Sequence, residues 1–259
     1  MPGNDGFARL LMHFDGANGS TSFTDSTSAN TNKGAATVIA PAQVSTAQSV
    51  FGGASALFDG ATAGLTYPDN ADWEFGSGNF TIDCWIRPTA FGTGTNGAAI
   101  VVHSSADTVN EWRLFLSDTT GNAQTLAFHQ FVNNGAGGSN FVGGPNSAIT
   151  LNVWQHVAIV RNGDVLTLYR GGINISQLTL SAGYSFPDII GTLEIGSIIT
   201  STWFYTGNID ELRISKGVAR WTANFIPPTA PYNAYIGFDN EDNTKDFPVL
   251  NIKHRVAEY

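Results

Sequence analysis

The chain has 259 residues, 29 of them Gly and only 13% charged, and carries a formal net charge of -9 at pH 7 from 12 Lys plus Arg against 21 Asp plus Glu. That length allows one large β domain or two small ones, and the charge balance argues against a surface for nucleic acid or an anionic membrane, since nothing in the sequence resembles a basic stripe. Cys84 is the sole cysteine, which excludes an intrachain disulfide and zinc sites built on paired cysteines.

The opening MPGNDGFARLLMHFDG has no basic region leading into a sustained apolar run, so no secretory signal peptide is visible, and no apolar run approaches the roughly 18 residues of a membrane span. The expectation is a soluble polypeptide made in the host cytoplasm. Candidate strands then follow as RLLMHFD, ASALFD, GLTYP, FTIDCWIRP, AAIVVHS, EWRLFLSD, LAFHQFV, VWQHVAIVRN, DVLTLYRG, ISQLTLS, TLEIGS and IDELRIS, separated by turn signals. This pattern predicts an all-β sandwich or barrel.

In FTIDCWIRP the alternation puts Phe80, Ile82, Cys84 and Ile86 on one face and Thr81, Asp83, Trp85 and Arg87 on the other. The segments NTNKGAAT and 133–147, rich in Gly and Asn, read as long loops. Asn162-Gly163, between VWQHVAIVRN and DVLTLYRG, predicts a hairpin with a type I′ turn. VARWTANF suggests a short helical turn ended by Pro227 and Pro228. After Tyr232 an acidic, polar patch leads into FPVLNIKHRV, which reads as a docking strand, an arm on a neighbour or a loose tail.

In IDELRIS the same alternation places Asp210 with Leu212 and Ile214, and Glu211 with Arg213 on the opposite face as a surface pair. An inward Asp210 needs hydrogen bonds, a cation or a metal. One reading has it capping backbone N–H groups of the following turn or pairing with Arg220.

GNFTIDCWIRP, VWQHVAIVRNGDVLTLYRGG and GNIDELRISKGVARWTANFIPPTAPY, with the opening LLMHFDG, together resemble the laminin-G-like branch of the concanavalin A-like lectin/glucanase superfamily, particularly copies in bacteriophage structural proteins. The resemblance runs from about Phe7 to Tyr232. It implies a jelly-roll sandwich of two curved antiparallel sheets over 1–232, with 233–259 as a C-terminal extension. It also implies a structural Ca2+ between the first and last strands, held by Asp210 with backbone carbonyls and with Asp15, Asp25 or Asp59 as a second carboxylate.

Some members of the superfamily are glycoside hydrolases, which need two carboxyls about 5–5.5 Å apart for retaining chemistry. This sequence has no Glu-x-Asp-x-x-Glu run, no Gly-x-Ser-x-Gly elbow, no His-Glu-x-x-His helix and no phosphate loop, so no enzyme is expected. His13, His103, His129 and His156 lie in candidate strands and read as packing residues, with His103 and His129 placed to meet across a sheet. Sugar sites present aromatic rings beside polar groups, and Phe204, Trp112, Trp73 and Tyr184 are the candidate ligand-binding rings, set against ordinary core packing. Alternation forbids Trp203, Phe204 and Tyr205 from all facing inward, and the family resemblance implies that Trp203 and Tyr205 face the core, which leaves Phe204 outward or in a loop.

Two roles follow. The resemblance implies a non-enzymatic virion protein, a capsid decoration, head-fibre or tail component, docking to other virion proteins or to copies of itself as a homo-oligomer. The alternative is a carbohydrate-binding or receptor-binding module for a host-surface glycan, with many displayed copies adding strength to weak contacts.

Overall fold

The computed structural model describes all residues except 1–3, 28–31, 92–96, 106–109, 120–121, 133–134, 136, 200 and 233–259, and for 118, 119, 122 and 123 the backbone alone. The expected extension 233–259 therefore lies outside the described residues.

Two antiparallel sheets form the body. The first runs β13 (Ile173–Thr179), β12 (Val165–Arg170), β11 (Gln155–Asn162), β6 (Phe80–Ala90), β15 (Thr206–Lys216), β4 (Ser55–Asp59) and β3 (Gln43–Ser45), with β1 (Ala8–Met12) pairing β15. The second runs β10 (Ser139–Gly143), β9 (Asn122–Phe131), β8 (Glu111–Thr119), β7 (Ala98–Ser105), β14 (Gly191–Ile195), β5 (Gly64–Tyr67) and β2 (Thr37–Ile39). The order is non-sequential, as in a jelly roll.

Alternating side chains fill the space between the sheets. Phe80, Ile82, Cys84 and Ile86 of β6 face Trp112, Leu114 and Leu116 of β8 and Leu126 and Phe128 of β9, all buried in one core. Phe75 stacks on Phe80 with centroids 4.1 Å apart and packs 5.2 Å from the Trp112 ring. Such rings carry most of the apolar area the sandwich removes from water.

Four local expectations are corrected. The segment 133–147 is not all loop: β10 lies inside it and closes one edge of the second sheet. Asn162 pairs with Val165, so the central turn residues are Gly163 and Asp164. Only Gly163 of the two has positive φ, at 59°, the pattern of a type II′ turn one residue later than predicted. VARWTANF is not helical; its Trp221 and Phe225 rings stack at 3.9 Å and cover Ala158, Val160 and Tyr169 on the outer face of the first sheet. Finally, His103 and His129 do not meet, because His103 contacts Trp112 at 5.8 Å on the inner side while His129 is turned outward.

Candidate functional site: a polar and aromatic row on the second sheet

The parity argument for Asp210 fails at a bulge. Asp210 stands opposite Trp85 and Arg213 opposite Asp83, so β15 advances three residues while β6 advances two. Glu211, at φ 50°, absorbs the extra residue. Ile209, Leu212 and Ile214 enter the core, whereas Asp210 and Arg213 share the outer face.

Asp210 is nevertheless buried, beneath the turn at 50–53. Its Oδ2 accepts the N–H groups of Val50 at 2.8 Å and Phe51 at 3.3 Å, while Oδ1 is buried without a hydrogen-bond partner. Burial, only partly offset by those bonds and reinforced by Glu211 and Asp15, pushes its carboxyl up to about 7. Arg220 plays no part, since it pairs with Asp5 at 2.8 and 3.0 Å. Nor are Glu211 and Arg213 a surface pair: Glu211 accepts from Tyr232 N–H at 3.1 Å and meets His13 Nδ1 at 2.7 Å, and Arg213 is buried against Asp83.

The other proposed metal carboxylates separate in the same way. Asp15 lies near Asp210, against Gly52, where a Cβ would come within 1.8 Å of Asp15 Oδ1. Asp25 accepts from Leu11 N–H, Thr27 N–H, Thr27 Oγ1 and Lys33 N–H at 3.1, 2.9, 2.7 and 2.7 Å, which leaves no lone pair for a cation. Asp59 caps the N–H groups of Ala61, Thr62 and Ala63. Among the described residues no three His, Cys, Asp or Glu side chains gather as a metal-holding group.

The predicted rings also sort by burial. Trp73 and Trp112 are core residues, the indole N–H of Trp112 donating to the Trp73 carbonyl at 3.1 Å, so neither lines a rim. Tyr184 is half-buried and donates to Gln130 Oε1 at 2.7 Å, and Phe204 is half-buried. Tyr205 is in the core as the resemblance implies, but Trp203 lies outside it, against Ala99, Val102 and Ile198 on the outer face of the second sheet.

On that face a row crosses the strands. Register places Val102 of β7, Arg113 of β8, His129 of β9 and Phe141 of β10 directly opposite one another. The adjacent row is Ser104, Glu111, Phe131 and Ser139. The Arg113 guanidinium sits 4.0 Å from the Trp203 ring centroid, 5.0 Å from Phe115 and 5.5 Å from Phe131, a cation enclosed by aromatic faces. Its Nη1 lies 2.9 Å from Glu111 Oε1, an ion pair with poor hydrogen-bond alignment.

His129 continues the row. Its Nδ1 lies 3.4 Å from Arg113 Nη2 and its Nε2 2.6 Å from Ser139 Oγ. Arg113 is a donor only, so Nδ1 accepts and Nε2–H donates to Ser139, an exposed residue whose hydroxyl proton this bond does not use. Burial and the Arg113 charge press the imidazole down to about 4, so it is neutral at physiological pH. Phe141, 41% exposed, ends the row beside His129 with centroids 5.7 Å apart.

These residues escaped the sequence reading for one reason. Glu111, Arg113 and Phe115 alternate visibly with core residues in EWRLFLSD, and His129 with Phe128 in LAFHQFV. Phe141 and Ser139, however, sit in a segment whose Gly and Asn content masks a strand, so the row lacked its exposed end.

A family model described as the concanavalin A-like lectin/glucanases superfamily matches residues 59–222. No curated protein matches the chain in sequence. Among solved structures, domain 4 of AbnA, a GH43 extracellular arabinanase from Geobacillus stearothermophilus solved with arabinotriose, aligns at TM-score 0.60 and 17% identity, over 82% of this chain and 93% of that one. The binding domain of Paraclostridial Mosquitocidal Protein 1 aligns at 0.61 and 16%, over 82% of this chain and 49% of that one. The botulinum neurotoxin serotype G binding domain aligns at 0.57 and 15%, over 82% and 48%. Likeness at these identities concerns the fold.

Proposed function

The chain belongs to the concanavalin A-like lectin/glucanase superfamily, and on that premise we propose that it is a non-enzymatic carbohydrate-binding module whose ligand lies across the outer face of the second sheet. The observation that carries this reading is the row Arg113–His129–Phe141. It sets an exposed ring beside a neutral imidazole and a free hydroxyl, the combination that stacks on sugar C–H faces and hydrogen-bonds sugar hydroxyls. The arabinotriose complex of one fold neighbour and the binding roles named for two others support it by analogy of fold.

The test is an oligosaccharide array followed by calorimetry on whatever sugar is retained. Retention that drops about tenfold in Phe141→Ala supports the face as the site. Retention of nothing, or retention indifferent to Phe141→Ala, refutes it. A virion setting, with docking to virion proteins or to copies of this chain, is proposed as the context for the module and is supported by the phage-type motifs alone. A monomer at micromolar concentration in sedimentation would count against self-association.

A structural Ca2+ is proposed at Asp210 and Asp15 rather than Asp25. The orphaned, buried Oδ1 of Asp210 and the nearby Asp15 fit a hard cation completed by backbone carbonyls. When bound, it would supply positive charge that keeps both carboxylates ionised. The protein's own part is to fix the turn at 50–53 through the Val50 and Phe51 N–H bonds.

A further inference from the structure

On the proposed sugar face the Arg113 cation is paired with a buried carboxylate. Arg113 is its cation, and the described residues set one carboxylate, Glu111, in contact with it at 2.9 Å. Glu111 is 2% exposed, so the pair is a built part of the face and not a loose surface contact. Facing Glu111 are Arg113 on its own strand, Ser104 on β7, Phe131 on β9 with His129 diagonal to it, and Glu194 on β14 opposite Val102. Ser139 and Phe141 on β10 bring no charge. Residues 196–199 and 201–204, which lie over the face through Ile198 and Trp203, bring none either. Glu194 is engaged elsewhere, accepting Ile199 N–H at 2.6 Å and Thr192 Oγ1 at 3.2 Å.

We infer that Glu111 is the specificity-determining residue of this face: by neutralising Arg113 it restricts the site to uncharged sugars, and loss of its charge opens the site to carboxylate-bearing ones such as uronates. This rests on the sugar-binding reading above. The Arg113 Nη2 edge, directed toward His129 Nδ1 at 3.4 Å, is the donor that an incoming carboxylate takes over once Glu111 no longer balances it. With Glu111 ionised, an anionic ligand meets a neutral pair in a chain of net charge -9 and is repelled.

The environment gives the same residue a pH dependence. Burial outweighs Arg113 and, with Glu194, lifts the Glu111 carboxyl to about 7. Ionised Glu111 therefore excludes anionic sugars above that pH, and protonated Glu111 admits them below it. His129, held down near 4, stays neutral across the same range and adds no competing change.

The test compares wild type and Glu111→Gln on an array of neutral oligosaccharides and oligouronates of matched length, at pH 8 and pH 5.5, with thermal melting to confirm folding. The expected result is that wild type at pH 8 is retained on neutral sugars alone. Glu111→Gln gains uronates about tenfold at both pH values, and wild type gains them at pH 5.5. If Glu111→Gln does not fold, the wild-type pH series decides. Uronates retained by wild type at pH 8, or gained neither by the variant nor at pH 5.5 while neutral sugars still bind, overturns the inference alone. Retention of no sugar by any form overturns it together with the binding reading.

Discussion

Arg213 and Asp83, directly opposite each other on β15 and β6, form a two-pronged pair, with Nε donating to Oδ1 at 3.0 Å and Nη2 to Oδ2 at 3.1 Å. Both are buried, and the Tyr232 hydroxyl donates to the same carboxylate while Arg213 lies 3.8 Å from the Tyr232 ring centroid. The pair thus pins the segment 217–232 to the outer face of the first sheet. Removing one partner leaves a buried charge uncompensated, so Arg213→Met is expected to cost about 3–5 kcal/mol in denaturant unfolding. The double change with Asp83→Leu recovers part of that loss, because no orphan charge remains.

The same pair sets the acid limit. Burial alone would raise the Asp83 carboxyl, but the Arg213 charge and the His156 contact overcome it and hold the group well below the usual carboxylate range. A depressed folded-state value contributes stability above the unfolded value near 4 and loses it as pH falls through the folded one. Tryptophan fluorescence should therefore report a loss beginning below about pH 4 that is blunted in Asp83→Asn.

Asp210 carries the opposite sign. Its folded value near 7 lies above the unfolded one, so its contribution is complete below about pH 4 and lost as pH rises through 7. In chelator at pH 8, Asp210→Asn is expected to stabilise the protein, by up to about 4 kcal/mol. Millimolar calcium should raise the wild-type melting temperature at pH 8 and leave the variant unmoved. No calcium response in either protein would remove the cation from the account.

Much of the sandwich was legible because half-buried strands announce themselves: FTIDCWIRP alternates without interruption, and its core face is the one expected. What failed was whatever broke period two. The bulge at Glu211 inverted the face of Asp210, since one inserted residue exchanges every side chain downstream. The family pattern turns Trp203 inward with Tyr205, but Trp203 lies in the crossing from β14 to β15, where no pleat fixes direction. The Phe141 row needed a strand within Gly- and Asn-rich sequence, and while Glu111 and Arg113 share one face of β8 by simple alternation, their placement beside His129 and Trp203 needed cross-strand register that no local pattern encodes.

Gly196 anchors that crossing. Its N–H donates to Ile100 O at 3.0 Å, its carbonyl accepts from Tyr205 N–H at 2.8 Å, and its φ is 79°. A Cβ there would lie 2.3 Å from the Phe58 ring. Gly196→Ala is expected to cost about 1–3 kcal/mol and to weaken sugar retention by displacing Trp203 from Arg113. Thermal melting and the array read the two effects separately.

Trp203 and Phe141 separate scaffolding from contact. The Trp203 ring covers Arg113 at 4.0 Å and packs on Ala99, Val102 and Ile198, so Trp203→Ala removes both a cation–π contact and apolar packing. Its cost should reach about 2–4 kcal/mol, and binding should fall with it because the guanidinium loses its fixed position. Phe141 stands at the sheet edge, 41% exposed, and its loss should change stability by about 0.5 kcal/mol or less. If Phe141→Ala melts like wild type yet loses about tenfold in affinity, the ring touches the ligand directly. Equal losses of stability and binding in both variants would instead mean that the face serves packing, and the ligand would have to be sought elsewhere on the sandwich.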